Sequence, residues 1–353
     1  MEKVSVIGCR EYDPDRLVRI IEEHFCALDP ENKLIRKGSR VVVKPNLIMR
    51  RKPEEATTTH PDFVAAVIRA VKKRGGEAVI ADSPGGPYTK SQLRSIYAGT
   101  GMTQAAEREG AELNDDVGFT AMMSKDGKVC RAFNIINPLA QADVIISVAK
   151  LKTHGQMNFS GAVKNMFGAI PGLTKPEFHY RYPNKNTFGE MLVDLCETVR
   201  PAISLIDGVI GMEGNGPTGG SPKFMGVTMA SLNPYAMDLI ACSVIGMPAS
   251  MVPTVAASQK RGLCPDHADE IEILGEDFNH FASDFQKPES MSLDFIHKMP
   301  GFIRKPLTRV FTPKPVIKKA TCIGCGKCAE SCPQKTISII ERKAVIDYTE
   351  CIK

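Results

Sequence analysis

The sequence predicts an α/β fold, with a mainly parallel sheet covered by helices on both faces and a small cysteine-rich module at the carboxyl end. Short Val- and Ile-rich runs alternate with helical patterns between residues 40 and 246. Such alternation indicates βαβ units, in which parallel strands are buried between two layers of helix. In addition, five of the eleven cysteines lie within residues 322–353, apart from this pattern.

Four apolar runs have the character of buried strands. Each is rich in β-branched residues and ends in polar or turn-forming residues, as expected for a strand enclosed by helices. The runs are RVVVKPN (40–46), EAVIADS (77–83), ADVIISVAK (142–150) and AISLIDG (202–208). They predict the central strands of the sheet.

Four helical segments lie before, between or after these strands. Two of them begin at prolines that follow a polar residue, Pro14 and Pro61, and proline is favoured in the first turn of a helix. The second of these ends at Gly75, which fits a helix terminus. The segments 187–201 and 233–246 supply the other two helices.

The length of 353 residues predicts two domains, and the 43% hydrophobic content is that of a folded globular protein. We expect an α/β domain over residues 1–297, a basic Pro-rich linker over 298–315 and the cysteine module over 316–353. No apolar run approaches the roughly 18 residues of a membrane span, and the start of the chain lacks a signal-peptide pattern. We therefore expect a cytoplasmic protein that makes no membrane contact.

The run CIGCGKCAESCP places Cys322, Cys325, Cys328 and Cys332 at the spacing C-x2-C-x2-C-x3-C-P. Bacterial ferredoxins use this spacing, in which thiolates on a tight loop hold a 4Fe-4S cluster. Zinc is the competing metal, but cysteine zinc sites have two separated pairs or histidine partners, and no histidine follows His297. The run therefore predicts a ferredoxin-like module with a 4Fe-4S cluster.

A fifth cysteine, Cys351, fits the first position of a second run. In two-cluster ferredoxins the fourth cysteine of one run binds the other cluster. Cys322, Cys325 and Cys328 would then share one cluster, and Cys332 and Cys351 would belong to the other. This predicts one or two clusters in a module whose final stretch is missing from this chain. The alternative is one cluster completed by Cys332 or Cys351.

Polar residues follow each predicted strand. They are Lys44 and Asn46, then Asp82 and Ser83, then Lys150, Lys152 and His154, and finally Asp207. Taken singly, such a lysine can snorkel at a strand end and such an aspartate can cap a helix. Ligands of open parallel sheets bind beyond the carboxyl ends of the strands, so the set taken together predicts a seat for an anionic group.

Two glycine-containing loops extend this predicted site. Residues 152–172 carry Lys164 and Asn165 among glycines that let the backbone approach a ligand closely. Residues 207–223 contain G-x-G-x-x-G, but a proline lies inside the motif and no helix follows it directly. We therefore expect an irregular loop that presents Glu213 to the site, and not a nucleotide-binding fingerprint.

His154 is the predicted acid/base group, with Asp207 or Glu213 as its partner, because histidine moves protons near neutral pH. Lysines neutralise carboxylates and phosphates. The predicted catalytic set is His154, Lys152, Lys164, Asp207 and Glu213, and the predicted substrate-binding set is Lys44, Asn46, Asp82, Ser83 and Asn165. His60 and Thr58, from the stretch TTTHP, are further candidates.

Several stretches of the chain resemble domain-of-unknown-function family 362. They are VVVKPN, TTTHPDFVAAVIRAV, ADSPGG, KLKTHGQMNFSGAVKNMFG, DGVIGMEGNGPTGG and SLNPYAMD. The likeness covers about residues 3–250 and the cysteine-rich tail. It implies an iron–sulfur protein with an α/β domain and a ferredoxin-type module, and it implies no particular substrate.

A cluster joined to a polar site predicts an iron–sulfur oxidoreductase that passes electrons to an anionic small molecule. The stretch from Lys298 to Lys319 has seven basic residues and no acidic ones, which suits an acidic electron carrier such as ferredoxin or flavodoxin. No recognition motif supports nucleic-acid binding. The alternatives are a non-enzymatic electron-transfer or metallocentre-assembly protein, and a non-redox enzyme with a structural cluster.

Overall fold

The computed structural model describes residues 1–288, 316–330, 332 and 335–349. The chain divides into two compact units, Met1–Glu289 and Ser290–Lys353. The predicted linker at 298–315 lies outside the described residues, so the predicted domain boundaries stay predictions. Within the described ranges no helix is long and apolar enough to cross a membrane, and the cytoplasmic location also stays a prediction.

The first unit is built on a nine-stranded sheet. Its strands are β1 (Lys3–Gly8), β2 (Arg40–Pro45), β3 (Glu77–Ile80), β4 (Glu112–Leu113), β7 (Val144–His154), β8 (Asn158–Ser160), β9 (Ile203–Asn215), β10 (Gly219–Ser231) and β11 (Glu272–Gly275). A separate hairpin consists of β5 (Phe119–Met123) and β6 (Ala132–Ile136).

The strand order is β11-β1-β10-β9-β7-β2-β3-β4, and β8 pairs with β7. The pairs β1–β11, β2–β3, β2–β7, β3–β4 and β7–β9 are parallel. Strand β10 runs antiparallel to both of its neighbours, and β8 runs antiparallel to β7. The mainly parallel sheet of the sequence prediction is confirmed.

Helices cover both faces of this sheet. They are α1 (Pro14–Leu28), α2 (Pro61–Lys73), α3 (Lys90–Gly99), α4 (Met102–Glu109), α5 (Asn137–Ala140), α6 (Ala162–Asn165), α7 (Lys175–Arg181), α8 (Lys185–Val199), α9 (Pro234–Val244) and α10 (Pro253–Lys260). Successive side chains of a strand point to opposite faces. Accordingly Val41 and Val43 of β2 join the core under α1 and α2, whereas Val42 joins the core under α8 and α9.

Two segments expected to be loops are more regular than the sequence suggested. The G-x-G-x-x-G stretch is the tip of a long antiparallel hairpin, in which β9 and β10 pair from Asn215 opposite Gly219 down to Ser204 opposite Ser231. The predicted irregular loop at 207–223 is therefore wrong, because backbone hydrogen bonds between the two strands hold most of it. Likewise, the loop after β7 forms strand β8 and the short helix α6.

The described part of the second unit is small. Helix α11 (Lys327–Glu330) precedes a hairpin of β12 (Ile337–Ile340) and β13 (Lys343–Ile346), which pair antiparallel. This agrees with the predicted small module that follows the α/β domain.

A buried carboxylate joins three segments of the first unit. Asp194 of α8 accepts hydrogen bonds from the backbone N–H groups of Lys128, Val129 and Cys130 at 2.8–2.9 Å. Asp194 also accepts a hydrogen bond at 2.7 Å from Nη1 of Arg261, the residue directly after α10. Removing one partner of a buried pair leaves the remaining charge and several N–H groups unsatisfied.

We expect Asp194→Ala to lower the free energy of unfolding by about 3–5 kcal/mol, because it breaks a buried pair. The measurement is urea unfolding of the full chain. Asp115→Ala is the matched control, since Asp115 is half-exposed and pairs with Lys90 at the surface, and should cost less than about 1 kcal/mol. Equal effects of the two substitutions would contradict this account of Asp194.

Candidate functional site

Most of the predicted site residues lie where the winding of the sheet reverses. From β2 the chain passes through α2 to β3 on one side, and from β7 it passes through α8 to β9 on the other. Strands β2 and β7 are neighbours, with Lys44 opposite Ser147. Such a reversal opens a crevice at the carboxyl ends of the strands, where ligands of open α/β sheets bind.

Lys44, at the end of β2, is fully buried and pairs with Asp82, with 2.8 Å between Nζ and Oδ1. Its Nζ also donates to Asn165 Oδ1 at 3.0 Å, and Asn165 Nδ2 donates to Ser147 Oγ at 3.0 Å. Burial lowers the pKa of Lys44, and the charge of Asp82 offsets part of that effect. These contacts fix α6 against the ends of β2, β3 and β7.

Lys152, on β7, is fully buried, and no carboxylate of the described residues lies within ion-pair distance of it. Its Nζ donates to Asn46 Oδ1 at 2.5 Å and to the carbonyl oxygen of Thr57 at 2.6 Å. Asn46 in turn donates to Asn165 Oδ1 at 3.2 Å. Burial lowers the pKa of Lys152 well below its ordinary value, and the charge of Lys164 lowers it further.

Two more lysines face one aromatic ring. The Nζ atoms of Lys164 and Lys175 lie 5.8 and 5.5 Å from the ring centroid of Phe167, and Lys175 donates a hydrogen bond to the carbonyl oxygen of Ser83. Burial lowers the pKa of Lys164 to about 8, with a contribution from the charge of Lys44. It lowers the pKa of Lys175 to about 7.

Lys175 was absent from the predicted set. It stands at the start of α7, away from any strand, so the rule that functional residues follow strands gave no signal for it. Three other buried or half-buried groups that shape this region were also missed: Tyr12, His179 and Asp238.

His154 lies near the lysines, but its surroundings differ from the prediction. Its Nδ1 accepts hydrogen bonds from the backbone N–H groups of Gln156 and Met157, both at 3.2 Å, so the ring proton lies on Nε2. Burial and the neighbouring lysine charges lower its pKa well below the ordinary value. The structure shows neither Asp207 nor Glu213 as its partner, and the neutral ring is suited to donate a hydrogen bond from Nε2.

Asp207 belongs to a separate cluster on the opposite face of the sheet. Lys150 Nζ donates to Asp207 Oδ2 and to Tyr12 Oη, both at 2.9 Å, and Tyr12 Oη donates to Asp207 Oδ1 at 2.8 Å. The ring of His60 stacks on Tyr12 with 3.6 Å between centroids. Burial raises the pKa of Tyr12 and lowers that of Lys150, and each shift is modified by Asp207.

Glu213 lies apart from both clusters, on the β9–β10 hairpin. Its carboxylate pairs with Lys223 at 3.0 Å and accepts the backbone N–H of Gln286 at 2.9 Å. Burial by itself would raise the pKa of Glu213, but these two partners outweigh it and hold the pKa below its ordinary value. The structure therefore does not bring Glu213 together with the other predicted catalytic residues.

Three buried hydroxyl groups belong to the segments that accept hydrogen bonds from Lys152 and Lys175. The side-chain oxygens of Thr57, Thr58 and Ser83 are buried and have no hydrogen-bond partner among the described residues. Thr57 and Ser83 are the residues whose carbonyl oxygens accept from Lys152 and Lys175. Because a buried hydroxyl without a partner costs free energy, these groups point to a bound ligand or water at this edge.

Helix α6, which carries Lys164 and Asn165, is held by α9. Asp238 is fully buried and accepts hydrogen bonds from the backbone N–H groups of Ala162 and Val163 at 2.7 and 3.1 Å. Burial raises the pKa of Asp238 to about 7, although the two hydrogen bonds act in the opposite direction.

The edge as a whole has more amines than carboxylates. The amines are Lys44, Lys150, Lys152, Lys164 and Lys175, and the carboxylates are Asp82 and Asp207. An excess of cationic groups attracts an anion. A cavity of about 600 Å³ lies elsewhere, lined by residues of α8 and α10, so the chemistry of the strand ends, and not cavity size, marks this edge.

The first cysteine of the C-terminal run has features of a metal ligand. Cys322 Sγ accepts the backbone N–H of Ala344 at 3.3 Å, and this bond, followed by that from Gly324, lowers the pKa of the thiol. A thiol is deprotonated when it binds a metal, and hydrogen bonds to sulfur are usual around iron–sulfur clusters. Gly324 and Gly326 have positive φ, which lets the chain turn tightly between the cysteines.

The described cysteines do not form a complete metal site by themselves. No three His, Cys, Asp or Glu side chains of the described residues come close enough together to hold a metal ion. The ten described cysteines form no disulfide, and Cys351 lies outside the described residues. How Cys325, Cys328, Cys332 and Cys351 are shared between clusters therefore stays a prediction.

Two known proteins are similar to this chain over much of its length. The chain is 29% identical over 307 residues to the thylakoid-associated protein sll1697 of Synechocystis sp., a match that covers 84% of this chain and 91% of that protein. The lactate racemase apoprotein of Thermoanaerobacterium thermosaccharolyticum has a TM-score of 0.43 and 12% identity. That match covers 69% of this chain and 57% of the racemase chain.

Two family models match the chain. The model of a 4Fe-4S dicluster domain matches residues 314–353, which supports the predicted 4Fe-4S cluster. The model of the domain of unknown function DUF362 matches residues 41–243, more than half of the chain and the part that contains the lysine-rich edge. The predicted resemblance is thus confirmed, and the chain belongs to the DUF362 family.

Proposed function

We propose that this iron–sulfur protein is an oxidoreductase that passes electrons from its 4Fe-4S cluster to an anionic small molecule bound at the carboxyl ends of β2, β3 and β7. The observation that carries the proposal is the presence of Lys152, Lys164 and Lys175 at this edge without a carboxylate partner among the described residues. An anion would restore the charge balance there.

The groups around these lysines suit a carboxylate or phosphate. Thr57, Thr58 and Ser83 have hydroxyl groups that can donate to an anion's oxygens, and these hydroxyls lack other partners in the described part of the chain. The backbone at Gly168 packs directly against the Lys44–Asp82 pair, because a Cβ added there would collide with Asp82 Oδ1 and Lys44 Nζ. Charge-assisted hydrogen bonds of this kind are among the stronger ones in proteins.

The redox half of the proposal rests on the C-terminal module. When bound, a 4Fe-4S cluster transfers single electrons. A reduced ferredoxin- or flavodoxin-type carrier would supply two electrons in succession, and the substrate would take up two electrons and two protons. Lys175, whose pKa is about 7, is suited to give one of these protons near neutral pH. The basic residues between Lys298 and Lys319 would attract such an acidic carrier.

The first test measures anion binding by titration calorimetry, with sulfate as the probe and the full chain prepared without oxygen. We expect Lys175→Gln to weaken sulfate binding roughly tenfold to hundredfold, because it removes one charged hydrogen-bond donor. Lys125→Gln is the matched control, since Lys125 is an exposed residue near the β5–β6 hairpin, and should bind sulfate like the unsubstituted protein. Equal sulfate affinities of the two variants would contradict an anion site at this edge.

The second test follows sulfate affinity with pH. The charged form of each lysine binds the anion, and the pKa values of Lys175 and Lys164 are about 7 and about 8. Affinity should therefore be full near pH 6 and fall as pH rises through these two values, whereas ordinary lysines would stay charged until about pH 10. Sulfate keeps its charge over this range. Affinity that stays constant up to pH 9 would contradict the assignment.

The third test concerns the cluster. We expect Cys322→Ser to lower the iron and acid-labile sulfide content of protein prepared without oxygen, because a hydroxyl is a poor substitute for a thiolate ligand. Cys26→Ser changes an exposed cysteine of the first unit and should leave both contents unchanged. If no anion that binds to the protein reoxidises the reduced cluster, the protein is instead a non-catalytic electron carrier or assembly component.

A further inference from the structure

Lys164 differs from the other lysines at this edge in having no acceptor. Lys44, Lys150, Lys152 and Lys175 each donate to a carboxylate, amide, phenol or carbonyl oxygen. Lys164 makes no hydrogen bond or ion pair within the described residues, and its contact is the ring of Phe167, 5.8 Å from Nζ to the centroid. A half-buried amine without an acceptor has its nitrogen available for reaction.

Lys164 also lies at the electrostatic centre of the cluster. Its charge lowers the pKa of four surrounding groups, Lys152, His154, Lys175 and His179. Neighbouring cationic groups therefore disfavour the protonated form of Lys164, and loss of the proton relieves this repulsion. Desolvation in apolar surroundings and nearby cationic groups are the two conditions that activate a lysine as a nucleophile.

We propose that Lys164 is a nucleophile that forms an imine with the carbonyl carbon of an oxo acid, whose carboxylate is held by the neighbouring amines and hydroxyls. This inference rests on the anion site of the proposed function and names its substrate class. Phe167, whose ring centroid lies 5.8 Å from Lys164 Nζ, packs edge-on against Phe188 with 5.4 Å between ring centroids. This apolar pair reduces the access of water to an imine formed beside it.

The condensation balances without any oxidant or reductant. The neutral amine of Lys164 attacks the carbonyl carbon, so that a C–N bond forms, the C=O π bond opens and one amine proton moves to the oxygen to give a hydroxyl. That hydroxyl takes up a second proton and leaves as water while the nitrogen lone pair forms the C=N bond of an iminium, and loss of the last N–H proton gives the neutral imine. Lys175, whose Nζ lies 5.5 Å from the centroid of the same Phe167 ring, has a pKa of about 7 and is suited to exchange these protons.

Two parts of the site fit the two ends of an oxo acid. The hydroxyls of Thr57 and Ser83, with the Nζ atoms of Lys152 and Lys175, offer donors to the carboxylate. Lys164, which has no acceptor among the described residues, would supply the nitrogen for the carbonyl end. An iminium carbon is more electron-poor than the parent carbonyl carbon, which would ease the electron transfer that the proposed function requires.

The test is reductive trapping. The full chain, prepared without oxygen, is incubated with pyruvate and sodium cyanoborohydride, and the peptides are mapped by mass spectrometry. We expect one adduct per chain on the peptide that contains Lys164, none in Lys164→Arg, and an unchanged level in Lys125→Arg. Arginine keeps the positive charge but does not form the imine. Because peptide mapping of the unsubstituted protein locates the adduct, the test does not depend on the folding of a variant.

The pH profile adds a second criterion. Only the neutral amine of Lys164 reacts, so trapping measured at saturating pyruvate should rise through pH 8, the pKa of Lys164 being about 8 in place of the ordinary 10.5. At pH 7 this shift increases the neutral fraction roughly 300-fold. Sulfate affinity should fall as pH rises over the same pH range. Trapping spread evenly over surface lysines, or absent at every pH, would overturn the assignment of Lys164.

The two proposals fail in different ways. Pyruvate that binds in calorimetry but leaves no adduct would reject the nucleophile and retain the anion site. If the unsubstituted protein binds neither pyruvate nor sulfate, the anion site itself is rejected. An adduct on Lys175 in place of Lys164 would also overturn the assignment of the nucleophile.

Discussion

Burial of amines in excess of carboxylates is the constraint that organises the carboxyl edge of the sheet. Removing an ammonium group from water is costly unless a partner compensates for it, and only Lys44 and Lys150 have a carboxylate partner. The remaining amines are accommodated by carbonyl and amide oxygens, by an aromatic ring and by lowered pKa values. An apolar replacement would be less costly for folding, which is why these residues are better explained by binding than by stability.

The sheet separates two polar clusters that share this edge. Lys150 and Lys152 are two residues apart on β7, and the pairing of β7 with β9 shifts register between them. Lys150 pairs with Asp207, whereas Lys152 donates to Asn46, which follows β2. Asn46 in turn donates to Asn165 of α6. The amide of Asn46 therefore links Lys152 to α6, and reorientation of that side chain would change the hydrogen bonds of both.

Sequence patterns predicted the parallel sheet, its four central strands and the residues at their ends, because buried strands are apolar and polar residues stand out against them. They could not identify Lys175, which reaches the edge from α7 through tertiary packing. They also could not predict the partners of His154, because the Nδ1 atom accepts from two backbone N–H groups in the turn between β7 and β8. Glu213 was misplaced because the pairing of β9 with β10 turns its carboxylate toward Lys223.

Helix α6 is too short to hold its position through its own hydrogen bonds, and it is anchored by a carboxylate of α9. Lys164 and Asn165 therefore lie on one short segment that α9 holds at its start and that Lys44 and Ser147 hold at its end. Substitutions in α9 that shift Asp238 would shift the start of this segment. Natural variation in that helix is thus a route by which relatives could alter the spacing of the lysine-rich edge without changing any residue of the edge itself.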